Sequence, residues 1–333
     1  MVLGTATVGG RSTGECSVYI PTAQVVAAAF DLGKPVGGLL LIRRGDTDTW
    51  RLETTSGRYF VKGYWPTTGG QFTSGGLVEQ LAVAMPFEQR AMAAGVDLAD
   101  PVPPVEPELG WVTRIHDRLF RVYDWIEGRT VRPEDDITEW LGRTMAIVHQ
   151  LQPVGEVGLP DWWRTALRPR ADWDEWFTEA RRRGEPWSEV AWERLPRIVE
   201  LTARIEQLGE VAPDRVMTHG DFKSHNILMT ANGPVLIDWD SVRSDSAAME
   251  AGRIAEMFGG RTLEAYVGAG GDVRWAGEDL YLGVARAELQ RIYERVLVLL
   301  DRMPAPRWMG TRDEVIEQLR ESFDRLGQWR GCP

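Results

Sequence analysis

Between residues 37 and 64 the apolar positions come in short bursts parted by turn residues. Residues 37–43, 49–54 and 58–64 each read as a strand. The turn 44–48 separates the first two, and Thr55-Ser56-Gly57 separates the second from the third. A helix is predicted over 77–94, a shorter one over 21–33, and two further strands over 111–115 and 119–125 after a proline-rich stretch at 101–107. Beyond Gly128 the period changes from two to that of a helix. Leu141, Met145 and Val148 share one side of a helix over 138–151, and Leu282, Leu289, Ile292, Val296 and Leu299 do the same over 278–303. Helices are also predicted over 172–207, 246–258 and 311–329. Residues 66–76, rich in Thr and Gly, read as a loop, and residues 1–20 as a poorly ordered tail. The pattern predicts an α+β chain of two lobes: a small antiparallel sheet with its helix over 21–123, and a mostly helical lobe over 124–333.

Composition narrows the setting. The 333 residues are 43% hydrophobic and 26% charged, as in a water-soluble globular chain with ample core. No apolar run is long enough to span a bilayer, and no basic start followed by an apolar stretch marks a signal peptide. Cys16 and Cys332, near opposite ends, give no metal spacing or disulfide framework, so a reducing cytoplasm is the expected location. Net charge is −11, and residues 1–123, with 11 basic and 12 acidic side chains, carry little of it. An acidic chain is a poor match to nucleic acid and a better one to a cationic small molecule, although acid excess also serves solubility.

The densest chemistry lies in THGDFKSHNILMTANGPVLIDWD, residues 218–240. Asp221 is followed by Asn226, and a return through Ala231-Asn232-Gly233-Pro234 leads by an apolar strand to Asp238. One carboxylate to accept a hydroxyl proton and two oxygen ligands to hold Mg²⁺ are what phosphoryl transfer needs. Asp221 is assigned as the base, and Asn226 and Asp238 as the metal ligands. Asp240, on the same strand parity as Asp238, is a weaker ligand or a support for it. Lys223 either reaches the γ-phosphate or is a solvated lysine. His219 braces the loop, while His116 and His149 read as structural. Asp245 and Glu250 prolong the acidic run, where a helix N-terminus would favour acids.

Only three of the 38 basic residues are lysines: Lys34, Lys62 and Lys223. Lys62 sits in the apolar run Phe60-Val61-Lys62, a place tolerable only with anionic partners. Nucleotide phosphates and a helix carboxylate would supply them, with Glu88 as the expected partner and Glu79 as the alternative. The turn 43–49 is where a phosphate-covering loop would lie, with Gly45 as its one glycine. No P-loop motif occurs. A hinge over 122–128 would read adenine through the Asp124 carbonyl and the Ile126 amide. Six of the fifteen tryptophans fall between Trp162 and Trp192 and are expected chiefly to pack helices.

Together the HGD…N…IDWD block, Phe60-Val61-Lys62, Glu88 and the segment Leu141-Gly142-Arg143 through His149 resemble the aminoglycoside phosphotransferase and choline kinase group of protein-kinase-like enzymes over most of residues 35–300. The resemblance implies a two-lobed fold with ATP or GTP and Mg²⁺ between the lobes. It also implies a Lys62–Glu88 ion pair, Asp221 as catalytic aspartate, and Asn226 and Asp238 as metal ligands. Gly220 stands where protein kinases carry arginine, and Trp239-Asp240 where they carry Phe-Gly, so a protein substrate is not expected. The expected activity is transfer of a γ-phosphate to a hydroxyl of an aminoglycoside or aminosugar. A metabolic small-alcohol kinase (choline, homoserine or thioribose) and a nucleotide-binding protein without transfer are the alternatives.

Overall fold

A computed structural model describes residues 20–45, 47–64, 76–151, 166–211, 215–273, 277–306 and 309–328. The tail predicted over 1–20, save its last residue, and the predicted loop at 66–76, save its last, lie outside these. Chain order begins with α1 (Ala23–Ala29), β1 (Leu40–Arg43), β2 (Thr47–Glu53), β3 (Arg58–Tyr64) and α2 (Gly76–Ala93). β4 (Pro101–Val102), β5 (Thr113–Ile115) and β6 (Arg118–Asp124) complete an antiparallel sheet of order β1-β2-β3-β6-β4, with β5 on β6. β2 starts at Thr47, inside the predicted turn, because Thr47 pairs with Tyr64 and Asp48 with Gly63. Arg118 fixes that end of the sheet. Its buried guanidinium donates to the carbonyls of Gly63 and Tyr64 and to Asp48, between the rings of Trp50 and Phe120.

β7 (Arg129–Thr130) and α3 (Thr138–Gln150) follow the linker that leaves β6. The helix expected over 172–207 is two, α4 (Arg170–Arg183) and α5 (Ser188–Val211). Gly184 at φ 73° caps α4 in the left-handed region, its N–H and that of Glu185 closing back on Arg181 and Ala180. β8 (Arg215–Thr218), the β9 (Ile227–Thr230) and β10 (Gly233–Leu236) hairpin and β11 (Arg243–Ser246) frame the acidic motif. α6 (Ala247–Phe258), α7 (Arg261–Gly268), α8 (Leu282–Leu299) and α9 (Arg312–Gln328) end the described chain. Strands β4, β7, β8 and β11 and helix α7 are too short to leave a periodic trace in the sequence.

Three apolar clusters set the site. One joins α1 to the sheet through Val26, Phe30, Leu52, Val61 and Val122. A second holds the late helices around Trp173, Trp187, Leu289 and Phe323, so the described tryptophans of the 162–192 cluster do pack helices. The third lies between them and contains Phe87 of α2, Leu141 and Val148 of α3, and Phe222, Ile227, Leu236 and Trp239 of the acidic motif. One core thus fixes the sheet-side helix α2, helix α3 and the catalytic segment relative to one another.

Helix crossings beside that core are close enough to require glycine. A Cβ on Gly252 of α6 would lie 1.8 Å from the Leu280 carbonyl oxygen, and one on Gly283 of α8 2.2 Å from that of Met249. Gly252→Ala is expected to force these elements apart and to lower unfolding free energy by about 1–3 kcal/mol, measured by urea denaturation. Gly268→Ala, at a position with nothing within 4 Å, is the control and should leave stability unchanged or slightly raised.

Candidate active site

β8 delivers the chain to His219, Gly220 and Asp221, and pairs with β11 so that Thr218 faces Arg243. Gly220 has φ 80°, and a Cβ there would lie 2.0 Å from the Ser241 carbonyl oxygen. Only glycine lets the loop pass this close to the turn after Asp238, which accounts for Gly220 where a protein kinase has arginine. His219 is buried between Phe222 and Trp239. Its Nε2 meets the Ile237 carbonyl at 3.1 Å, and its Nδ1 accepts the Asp221 N–H at 3.3 Å. These partners require the neutral Nε2–H tautomer. Burial agrees, pushing the imidazole pKa below its ordinary value although Asp221, Glu250 and Asp238 pull it up. The bracing role expected for His219 is therefore explicit.

Asn226 closes the loop. Its Nδ2 donates to the Asp221 carbonyl at 2.9 Å and to Asp221 Oδ2 at 2.8 Å. Lys223 Nζ lies 2.6 Å from the same Oδ2. One carboxylate oxygen of Asp221 is thereby occupied, and no described residue donates to Oδ1. The Ile237 N–H bonds to the Asn226 carbonyl, which sets the loop beside the strand carrying Asp238. Asp238 itself adopts φ 67°, ψ 61°, left-handed and costly for a residue with a side chain. Its carboxylate is 40% exposed, unlike its buried neighbours.

The partners of Lys62 differ from those expected. Its buried Nζ lies 2.6 Å from Asp238 Oδ1 and 2.5 Å from Asp240 Oδ2. Burial alone would lower its pKa, but Asp238 and then Asp240 more than offset this and hold it above the usual lysine value. Glu88 does not pair with Lys62, and Glu79 is exposed on α2. The reason is Arg121, which faces Lys62 across the β3–β6 pair. Its fully buried guanidinium pairs with Glu88 on one side and lies 2.8 Å from Asp240 Oδ1 on the other. Tyr123 Oη donates to Glu88, and Tyr64 Oη to Asp240 Oδ2 at 2.8 Å. Asp240 thus has both oxygens engaged by protein donors, where the sequence suggested a weaker metal ligand or a support for Asp238. Arg121 was missed by the sequence reading, yet its signal was the one used for Lys62: a cation inside the apolar run Leu119-Phe120-Arg121-Val122.

The remaining predicted positions scatter around this centre. Gly45 is buried in the turn after β1. Asp124 ends β6 with its N–H on the Asp100 carbonyl, and Ile126 is half-buried in the linker to β7, whose Arg129 pairs with Met229 of the catalytic hairpin. His149 is not isolated: its ring meets Tyr266 Oη at 2.9 Å and Glu250 Oε2 at 2.7 Å. Glu250 Oε1 in turn accepts the Gly220 N–H at 3.3 Å, so α3 and α6 hold the catalytic loop from behind. Asp245 forms a bidentate pair with Arg286 of α8, rather than only facing a helix end. No three His, Cys, Asp or Glu side chains among the described residues converge as a metal cage. One carboxylate and one amide oxygen suit Mg²⁺, which keeps further positions for phosphate and water. Asp238 and Asn226 fit: no described residue donates to Asp238 Oδ2 or Asn226 Oδ1.

The depressed pKa of buried His219 fixes a pH response. Below about pH 6.5 the unfolded chain binds a proton that the folded chain resists, so stability should fall with pH from there. Denaturation midpoints taken between about pH 8 and 5.5 should show this fall in the wild type and a shallower one in His219→Gln. Glu250→Ala should leave His149 and the Gly220 N–H without their acceptor and cost about 1–3 kcal/mol for each, read by the same method.

The sequence pattern of the phosphotransferase enzyme family matches residues 41–305. No curated protein sequence matches the chain. Among solved structures, a spectinomycin phosphotransferase in complex with ADP and spectinomycin is 13% identical with a TM-score of 0.67, over 94% of this chain and 99% of that one. A choline/ethanolamine kinase family protein from Mesorhizobium loti is 14% identical with a TM-score of 0.60, over 93% and 94%. A microcompartment-associated aminopropanol kinase is 15% identical with a TM-score of 0.56, over 92% and 96%. With the family pattern spanning both the sheet and the acidic motif, and the protein-kinase-like fold shared along nearly the whole length, the chain belongs to the phosphotransferase enzyme family and is a small-molecule kinase.

Proposed function

We propose that the chain transfers the γ-phosphate of ATP or GTP to a hydroxyl of a small, amine-bearing acceptor, with Asp221 as base. The observation that carries this is the state of the Asp221 carboxylate: Oδ2 is held by Asn226 and Lys223, while Oδ1 is left to take the acceptor proton. As that proton moves to Oδ1, the acceptor oxygen forms its bond to the γ-phosphorus, and the bond from phosphorus to the bridging oxygen breaks to release the nucleoside diphosphate. Mg²⁺, held by Asn226 and Asp238, would neutralise charge on the β- and γ-phosphate oxygens. Lys223 moves to the transferred group as Asp221 gives up its charge to the incoming proton. Lys62 faces the phosphates from β3, Gly45 lies in the covering turn, and the Asp124 carbonyl and Ile126 N–H take the base of the nucleotide.

The acceptor class follows from charge. Almost all of the net −11 lies beyond residue 123, in the part that carries the base, and a cationic acceptor is drawn there. Spectinomycin, choline, ethanolamine and aminopropanol, named with the fold neighbours, all join a hydroxyl to an amine or ammonium group. An aminoglycoside or aminosugar and a simple amino alcohol are therefore the two acceptor groups to try first. The proposed place of action is the cytoplasm; separately, no helix among the described residues is long and apolar enough to cross a membrane.

Mass detection of an added phosphate, with MgATP and MgGTP against a panel of aminoglycosides, aminosugars and amino alcohols, tests the reading. Transfer to no member of the panel would sink it. With the acceptor found, Asp221→Asn should lower kcat by about 10²–10⁴-fold with little change in nucleotide KM. Asp238→Asn retains a residue that tolerates the left-handed backbone but removes the charge. It should fold as stably as the wild type by thermal melting and lose Mg²⁺-dependent turnover.

A further inference from the structure

We infer that Asp240 is a positioning residue for Lys62 and not a metal ligand, and that Arg121 and Tyr64 exist to aim it. This rests on the phosphotransfer reading and assigns new roles within it. Three carboxylates (Glu88, Asp238 and Asp240) formally face two cations (Arg121 and Lys62) in one buried chain of contacts. The chain has a fixed end and a loose end. At the fixed end Glu88 and Arg121 are fully buried and tied to strand and helix cores. At the loose end the Asp238 side chain is 40% exposed. Asp240 stands between, with Oδ1 on Arg121 and Oδ2 on Tyr64 and Lys62.

Asp238, as a ligand of the divalent cation that binds with the nucleotide, would turn from Lys62, because a double charge attracts a carboxylate more strongly than an ammonium does. Lys62 would then lose one of its two partners. Asp240 cannot follow, since turning would break its bonds to Arg121 and Tyr64 inside a buried site. Lys62 therefore stays anchored by Asp240, with the N–H that faced Asp238 released toward phosphate. In this arrangement Glu88 acts on Lys62 only at third hand, through Arg121 and then Asp240. A helix carboxylate and a strand lysine that would pair directly are separated by one inserted arginine, and the second acid of the IDWD motif carries out the contact.

A double-mutant cycle on nucleotide binding tests this without knowledge of the acceptor. The Kd of ATP is measured by calorimetry at saturating Mg²⁺ for the wild type, Asp240→Asn, Lys62→Met and the double variant, and the Mg²⁺ concentration for half-maximal binding is measured for each. Asp240→Asn should weaken ATP binding about tenfold to a hundredfold in the wild-type background and by less than about threefold when Lys62 is already Met. Its Mg²⁺ requirement should stay within about threefold of wild type. Tyr64→Phe, which removes one hydrogen bond and no charge, should move Kd in the same direction by less and lose its effect in the Lys62→Met background. That pair keeps the test open should Asp240→Asn not fold. Costs that add in full across the cycle, or a Mg²⁺ requirement raised more than about tenfold by Asp240→Asn, would make Asp240 a ligand and overturn the inference. A wild type that binds no nucleotide would overturn the phosphotransfer reading as well, whereas wild-type binding with additive costs overturns this inference alone.

Discussion

The structure depends on a buried line of charge that crosses from the sheet to the acidic motif. Lys62 and Arg121 project from neighbouring strands of the sheet, and both reach Asp240, more than a hundred residues later in the chain. Isolated charges of this burial would be prohibitive, and pairing alone does not make them favourable. Their value is in register. Apolar contacts between Phe87 and Trp239 bring α2 against the turn 239–241 but tolerate sliding. Arg121, forked between Glu88 and Asp240, does not, because a shift of either carboxylate strands a buried cation. Sheet, α2 and the turn 239–241 are thereby fixed to one geometry, and the Asp238 carboxylate is left 40% exposed.

The convergence of the acidic motif was legible in the sequence because its contacts are local. Asp221, Asn226 and Asp238 are linked by one tight loop and one hairpin, so spacing along the chain translates directly into spacing in space. Gly220 was legible as a departure from protein kinases, and its reason is a backbone approach that no spacing rule displays. The long helices follow their hydrophobic period, and the strands β2, β3 and β6 fall within two residues of the apolar bursts that predict them. The merged helix at 172–207 failed for a local reason: periodicity runs on through Gly184 and Pro186, and only the left-handed cap ends it.

What was not legible is pairing across distance. Lys62 was recognised as a buried cation in need of anions, and that was correct physics. Choosing Glu88 as its partner required that no other cation compete, and Arg121 competes from the adjacent strand. His149 reads as structural and Glu250 as an acid near a helix start, and only the packing of α3 and α6 pairs them with each other and Glu250 with the Gly220 N–H. In both cases the sequence displays a charged or polar residue at an apolar position, and only the fold supplies its partner.

The two layers behind the catalytic segment divide the work. The neutral layer, His219 with the Ile237 carbonyl and the Asp221 N–H, fixes backbone, and its neutrality matters because a charged imidazole would compete for the carboxylates of Asp221, Glu250 and Asp238 around it. The charged layer, Arg121, Asp240 and Lys62, fixes side chains between the sheet and the acidic motif. Exchange between the layers is blocked: burial keeps His219 neutral, and Asp238 and Asp240 keep Lys62 protonated against the pull of burial. The strained φ of Asp238 sits where the layers meet, between Ile237 of the neutral layer and Trp239 packed on His219. A left-handed residue there leaves the Asp238 carboxylate 40% exposed while that of Asp240, two residues on, is buried, although both reach Lys62. Alternation along an ordinary strand would have put both carboxylates on one face. The strain at Asp238 separates an exposed carboxylate, with Oδ2 free of described donors, from a buried one held by Arg121, Tyr64 and Lys62.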